Sequence, residues 1–466
     1  MNSYDDTIAA VATPPGEGGV AIVRISGKDA LTIADRMFKS KRGKLPSKMP
    51  AFTMSLGMVI NPEDGSAVDE VLIAVMRAPQ SYTVEDVAEF HCHGGYFTVR
   101  KTLEISLALG ARLAEPGEFT LRAFLNGRID LTRAEGILDI IKSKTAESSR
   151  IALEQLSGGL SGTISTIVSS LAQTCALIEA HIDFSDEDAD LTETEGILNS
   201  INEITKQLER LSISYEAGRF FREGMSIAIV GRANVGKSSL LNALLEKDRA
   251  IVADTAGTTR DTIEEYLSIK GIPARIIDTA GIRESREYAE LEGIKRSMEA
   301  IESADVVIAV FDGSTELTQG DYYIVEKTAG RNTLIAAINK SDLTAAFHEA
   351  VLTDSYGGEK NIPVLRISAQ TSEGIGALKD MIFTIATGGP TEVKQGVAIT
   401  NVRHKRAIDE CLSFIEKAAG LLCSGMPLEL SAIELRNALN SLGEITGGVT
   451  TDGILSLIFS KFCIGK

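Results

Sequence analysis

One octapeptide constrains the fold more than any other stretch. Gly231-Arg232-Ala233-Asn234-Val235-Gly236-Lys237-Ser238 fits the phosphate-loop pattern GxxxxGK[ST]. An apolar run at 227–230 precedes it and a helical pattern at 240–245 follows. Glycines let backbone N–H groups turn inward around phosphates, and the following helix adds the positive end of its dipole. Lys237 suits the β- and γ-phosphates and Ser238 suits Mg2+. A strand, loop and helix in this order predict a largely parallel, doubly wound sheet. The runs 226–230, 274–277, 306–311, 334–338 and 364–367 read as its buried strands.

Further motifs specify the nucleotide. Asp278-Thr279-Ala280-Gly281 follows a strand, so Asp278 reads as lying behind Mg2+, with the Gly281 N–H facing the γ-phosphate. Asn339-Lys340-Ser341-Asp342 ends another strand, and the Asp342 carboxylate suits the two N–H donors of guanine. Adenine would leave that charge unpaired, which makes GTP the nucleotide. Ser368-Ala369-Gln370 adds a backbone contact to the guanine oxygen. Ala253-Asp254-Thr255-Ala256-Gly257-Thr258-Thr259 reads as a switch segment, with Thr259 on Mg2+ and the carbonyls of Ala253 and Thr255 open to a cation. The GTP-contacting set also takes in Asn234, Val235, Gly236 and Ser239.

The position after Gly281 is Ile282, where many such proteins carry a water-orienting Gln. Another group must do that work, and Glu284, Glu287, Glu290 and Glu292 are the candidates. No Arg is placed by sequence to serve as an internal finger. A monovalent cation held by Asn234 can supply the missing charge instead.

Composition bounds the remainder. The chain has 466 residues, 64 acidic and 47 basic, giving a net charge of −17 and room for two to four domains. Its apolar fraction of 44% excludes a disordered chain. The acidic balance excludes a protein coated in basic charge, so any RNA contact must come from a local patch. Purely apolar runs reach only about half a dozen residues, too few to span a bilayer. Five cysteines without a CxxC pair, and Asp5 and Asp6 where a signal peptide needs basic charge, predict a reduced, cytoplasmic protein.

Residues 1–125 read as an α+β domain, and 39–48, with five Lys or Arg, as a solvated loop. Helical patterns begin at Leu131, with Ile137, Leu138, Ile141 and Thr145 on one face. They break or bend at Gly158-Gly159, continue at 164–182 and 197–211, and return after Gly388-Gly389-Pro390. This predicts one helical domain, 126–217 and 388–466, with an α/β domain at 218–387 inserted into it. His91-Cys92-His93 reads as structural or substrate-side rather than as a zinc site, since no second Cys or His cluster accompanies it. Arg403-His404-Lys405-Arg406 reads either as a phosphate contact or as a solvated helix start. Arg24, on a strand face with Val20 and Ile22, reads as a site residue because a cation there needs a partner.

From end to end the chain resembles the MnmE (TrmE, ThdF) family of tRNA modification GTPases. The resemblance is carried by Ala12-Thr13-Pro14-Pro15-Gly16, Arg24-Ile25-Ser26-Gly27, His93-Gly94-Gly95, Pro116-Gly117-Glu118-Phe119 and Arg122-Ala123-Phe124-Leu125-Asn126. Further on, Gly257-Thr258-Thr259-Arg260-Asp261, Leu442-Gly443-Glu444-Ile445-Thr446-Gly447 and the tail Phe462-Cys463-Ile464-Gly465-Lys466 extend it. It implies an N-terminal folate-binding and dimerising α+β domain, a discontinuous all-α domain and an inserted Ras-like G domain.

The resemblance also implies that Arg24, Glu85, Arg128 and Lys466 hold a 5-formyl- or methylene-tetrahydrofolate, with Cys463 a candidate catalytic thiol. Arg128 stands where the family often has Lys. Glu290 takes the water-orienting role beside the catalytic Lys237, and Asn234, Ala253, Thr255 and Thr258 bind K+. A homodimer is implied whose G domains pair in K+. So is a partner, MnmG (GidA), that carries FAD and joins in modifying the wobble uridine of tRNA.

Overall fold

The computed structural model describes residues 5–183, 191–248, 266–277, 301–331, 333–357, 362–389 and 398–466. These fall into two compact units. One holds 5–138 and 443–466, and the other holds the described residues between them. The C-terminal segment 443–466 therefore groups with the N-terminal sheet, whereas motif and composition assign it to the helical domain.

The first unit is built on a seven-stranded sheet: β1 (Ile8–Val11), β2 (Gly18–Ser26), β3 (Phe38–Ser40), β4 (Thr53–Ile60), β5 (Ala67–Met76), β6 (Val87–Gly94) and β7 (Arg112–Leu113). The order is β3-β4-β5-β6-β2-β1-β7, antiparallel apart from the parallel β1/β7 pair. Alternation sets the faces, as expected for a sheet covered on one side. Val71, Ile73 and Val75 of β5 are buried while Leu72 between them is exposed. Helices α1 (Ala30–Met37) and α2 (Tyr96–Ala108) cover the buried face, packing Met37 and Ile105 with Val23, Ile73 and Phe90.

Short helix α3 (Glu118–Leu125) follows, and its Phe119 packs with Ile8 and Ala10. The C-terminal helix Asp452–Phe459 is held by apolar contact of Ile458, Phe459 and Phe462 with Leu131, Ala134 and Leu138 of α4 (Leu131–Lys142). Gly117, at φ +71°, lets that helix approach; a Cβ there would sit 2.6 Å from the Phe459 carbonyl oxygen.

The second unit carries a six-stranded sheet: β8 (Met225–Val230), β9 (Tyr266–Ile269), β10 (Ile272–Ile277), β11 (Val306–Asp312), β12 (Leu334–Asn339) and β13 (Val364–Arg366). Its order is β13-β12-β11-β8-β10-β9, parallel except at β9. The five expected strands are all present. Their continuous apolar runs follow from two covered faces: Ile227, Ile229, Val306, Ile308 and Val310 enter one core, Ala228, Val230, Val307, Ala309 and Phe311 the other.

Two local expectations are revised and one is met. Thr145 is not on a helix face but caps α5 (Ala146–Ser157), exchanging hydrogen bonds with Ser148 and splitting one long pattern into two helices. The break expected at Gly158-Gly159 is present: Gly158 ends α5 at φ +96°, and α6 (Gly159–Asp183) starts at the next residue. The helix expected at 197–211 extends over 33 residues as α7 (Leu191–Glu223), because its far end buries Ala217, Phe220 and Phe221 against the six-stranded sheet's core.

Helix α6 is long and apolar enough by composition to cross a membrane, which the reading of uninterrupted apolar runs did not anticipate. Gly, Ser and Thr interrupt its apolar residues, and Leu160, Ile164, Ile167, Leu171 and Ile178 form a buried stripe at helical spacing.

Candidate functional site

The phosphate loop leaves β8 and enters α8 (Lys237–Asp248). Two glycines make it possible. Gly231 approaches β11 so closely that a Cβ would lie 2.5 Å from the Val310 carbonyl oxygen. Gly236, at φ +97°, leaves no room for a Cβ beside the Asn339 amide. Asn234 itself sits at φ +64°, a conformation Asn tolerates better than most residues.

The Lys237 Nζ donates to the carbonyls of Gly231 and Arg232, both at 2.8 Å. Burial holds its pKa below the ordinary lysine value, so the ammonium is poorly solvated and suited to phosphate oxygens. The loop and Ser238 at the start of α8 therefore fit a Mg2+-bound nucleotide phosphate: N–H donors, one lysine and one hydroxyl. Among the described residues no cluster of three or more His, Cys, Asp or Glu could hold a metal alone.

Three loops meet at Asn339. Its Nδ2 donates to the Val235 carbonyl at 2.8 Å, and its Oδ1 accepts from the Ala369 N–H at 3.0 Å. The Ser368 hydroxyl donates to Asp342 Oδ1 at 2.6 Å, orienting the exposed carboxylate expected to read guanine. Asn339 thus acts here as a clamp between the phosphate loop and the base-side loop. Lys340, at φ +66°, extends to Asp312 Oδ2 at 2.6 Å.

Asp312 is buried, which opposes ionisation, yet Lys340 and Ser314 outweigh burial and hold its pKa below the usual carboxylate value. Arg232 of the phosphate loop approaches the same Asp312 at 3.9 Å, and its Nε donates to buried Asp321 Oδ2 at 3.1 Å. Asp312 and Asp321 were not singled out in the sequence. The only signal was their place, one ending β11 and the other in the first turn of helix Gln319–Thr328.

The switch residues Ala253, Asp254, Thr255, Ala256, Gly257, Thr258 and Thr259, the motif Asp278, Thr279, Ala280 and Gly281, and Glu290 lie outside the described residues.

A second constellation stands in the first unit, around Tyr82. The Arg24 guanidinium lies 5.9 Å from its ring centroid and Arg128 lies 4.9 Å from it. Arg24 also donates to Glu89 Oε1 at 2.7 Å and to the Gly465 carbonyl at 3.4 Å. Arg128 donates to the Tyr82 carbonyl at 2.8 Å. Glu85 accepts from Ser26 Oγ at 2.7 Å and from Arg122 at 3.1 Å.

The tail is seated beside β1, since a Cβ on Gly465 would overlap the Val11 carbonyl. Gly465 thereby brings Lys466 to the same end of the sheet. Cys463 is an exposed free thiol whose carbonyl accepts from the Gly117 N–H at 3.4 Å. Two cations over one aromatic ring, with a carboxylate nearby, fit a flat ligand that has both polar-edge donors and anionic groups.

Arg122, not among the candidate site residues, lies next to Glu85. Its side chain is 1% exposed and pairs with Asp6 at 2.6 Å, Glu118 at 3.0 Å and Glu85 at 3.1 Å. Its place within Arg122-Ala123-Phe124-Leu125-Asn126 was the available signal. Cys92 of the His-Cys-His run turns into the core, where burial pushes its thiol up to about 11, while His93 Nδ1 pairs with Asp69 at 2.7 Å on the other face. The island at 403–406 is a helix start, with His404 buried and Lys405 bound to Asp409 at 2.6 Å.

The parallel sheet and its converging loops define a P-loop guanine-nucleotide hydrolase, with an α+β unit bearing a second candidate constellation. Sequence profiles for the GTP-binding protein TrmE N-terminus and the MnmE helical domain match residues 7–128 and 131–463. The tRNA modification GTPase MnmE of Carboxydothermus hydrogenoformans is 45% identical over 99% of this chain and 100% of its own length. That of Geotalea uraniireducens is 44% identical, covering 99% of each. Among solved structures, the G domain of the T. maritima FeoB iron transporter aligns with 35% of this chain and 98% of its own, at 27% identity and TM-score 0.27. The chain belongs to the MnmE family of tRNA modification GTPases.

Proposed function

We propose that this GTPase works in modification of the wobble uridine of certain tRNAs. A one-carbon unit from a 5-formyl- or methylene-tetrahydrofolate goes into an aminomethyl-type group at C5, with a MnmG-type partner supplying FAD chemistry. The observation that carries this reading is the meeting of Arg24 and Arg128 at Tyr82 with the C-terminal tail on Arg24, which a nucleotide switch alone does not need. The proposed folate set is Arg24, Glu85, Arg128 and Lys466, with Cys463 close by in the tail. Residues 1–125 would be the folate and dimerisation domain, 126–217 with 388–466 the helical domain, and 218–387 the G domain. Met54, Leu56 and Leu72 stand exposed on the open face of the N-terminal sheet and support self-association there.

In the G domain, bound GTP and Mg2+ would supply the phosphoryl group and neutralise its charge. Lys237 would leave its loop carbonyls for the phosphates, while Asn339 holds the loop in shape. Glu290 would orient the water that Ile282 cannot. K+ held by Asn234, Ala253, Thr255 and Thr258 would stand in for an arginine finger when two G domains pair, and the left-handed Asn234 backbone supports its place in that set.

GTP hydrolysis would drive conformational change rather than form the carbon bond. Calorimetric titration with formyl-tetrahydrofolate is expected to give one site that Arg24→Ala abolishes. Absence of heat with folded wild-type protein would leave a GTPase without the one-carbon chemistry. Hydrolysis rates in K+ and Na+ are expected to differ sharply, and equal rates would remove the cation role.

A further inference from the structure

The stretch from Arg36 to Lys48 carries six basic side chains and no acidic one, in a chain whose net charge is −17. Lys41 pairs with Glu70. Arg36, Lys39, Arg42, Lys44 and Lys48 are exposed, and among the described residues none of them forms an ion pair. Edge strands often carry a lysine to discourage pairing with other chains, and Lys39 on the edge strand β3 can be explained that way. Arg42, Lys44 and Lys48 lie beyond the strand, where edge protection does not account for them.

The cations lie in solvent, as a solvated loop predicts, but the segment that carries them is also anchored. Pro46 and Met49 are buried, and the Ser47 N–H donates to Asp35 at 2.8 Å. Arg77 donates to the Ser47 carbonyl at 2.5 Å and to the Met49 carbonyl at 3.3 Å. At its far end stands Phe52, 68% exposed and at φ +57°. That conformation costs a non-glycine residue roughly 1–2 kcal/mol. The Phe52 N–H is bonded to the Val75 carbonyl at 2.8 Å, so the ring is held outward by a formed turn rather than by fraying.

We propose that the lobe from Arg36 to Phe52 is a docking surface for tRNA, its cations on backbone phosphates and Phe52 against the face of an unpaired base. Unpaired cations beside an exposed aromatic side chain are the combination that single-stranded nucleic acid selects. An acidic polypeptide would use the cations but has no need of Phe52. The charge of the rest of the chain repels RNA, so a local acid-free lobe is where phosphates can approach. This inference rests on the reading of tRNA as substrate.

The test is fluorescence anisotropy of labelled tRNA with the full chain, between roughly 50 and 200 mM salt. Replacing Lys39, Arg42, Lys44 and Lys48 by Gln should weaken binding at least tenfold and flatten the dependence of log K on log salt by about 0.7–0.9 for each phosphate no longer neutralised. Phe52→Ala should weaken binding about fivefold or more with the slope unchanged, and this single variant carries the test if the quadruple one folds poorly. GTP hydrolysis should be unchanged in both. Wild-type affinity and slope in the variants overturn the proposal, including where association with an acidic protein is abolished instead. A wild-type chain that binds no tRNA overturns the substrate reading along with it.

Discussion

Asn339 is one amide serving two loops, and its loss would be felt at a distance from its own position. Asn339→Ala leaves the Val235 carbonyl and the Ala369 N–H without partners, a cost of about 1–3 kcal/mol each when water cannot replace them. Affinity for a fluorescent GTP analogue should fall about tenfold or more while the circular dichroism spectrum is retained; unaltered affinity would show that the clamp is dispensable.

The Arg122 cluster gives a pH signature in the first unit. The Arg112 hydrogen bond holds Asp6 below its ordinary 3.8 despite opposing burial. Burial opposes ionisation of Glu118, but Arg112, the Glu115 N–H and Arg122 outweigh it and hold it below its ordinary 4.5. Both groups bind protons more weakly folded than unfolded. The stability they contribute is therefore complete above the ordinary values and lost as pH falls through the lowered ones. Glu118→Gln should lower the thermal midpoint near neutral pH and make its decline below pH 4.5 shallower, and a parallel decline would exclude the role.

The guanine and phosphate motifs were legible at this scale because each is a short run with its own chemistry. Arg122 was not, since its partners Asp6 and Glu85 lie 116 and 37 residues away.

At the scale of elements, the parallel strands were readable from their apolar runs, while β9 was missed. It joins β10 through Lys270-Gly271, at φ +49° and +91°, a two-residue turn with both centres left-handed. Asn-Gly would have announced such a turn, but Lys-Gly does not. Gly271→Ala should destabilise the second unit by about 1–2 kcal/mol from the backbone alone. The new Cβ would also lie 2.7 Å from the Glu147 Cβ. Thermal unfolding measures this, and an unchanged midpoint would mean that the hairpin relaxes freely. The length of α7 escaped the sequence for a related reason: its buried face turns along the helix, so no single stripe marks all of it.

For the molecule as a whole, the segment 462–466 is seated on the N-terminal sheet beside Arg24, one of the residues proposed to hold the folate. Gly465 lies against β1 and its carbonyl meets Arg24. Residues added after Lys466 should therefore impair tRNA modification more than GTP hydrolysis, measured as wobble-modified tRNA in complemented cells and as phosphate release in vitro. Equal effects would count against a seated tail.

The sequence by itself determined the P-loop sheet, the preference for guanine and the helical stretches, because hydrophobic period and loop chemistry are local properties that survive without coordinates. Only the tertiary structure decided which charges meet: Arg24 with a carbonyl 441 residues along the chain, Arg232 and Lys340 around Asp312, and a basic run that proves to be a pinned lobe. Such meetings depend on how the chain closes on itself, and no local periodicity records that closure.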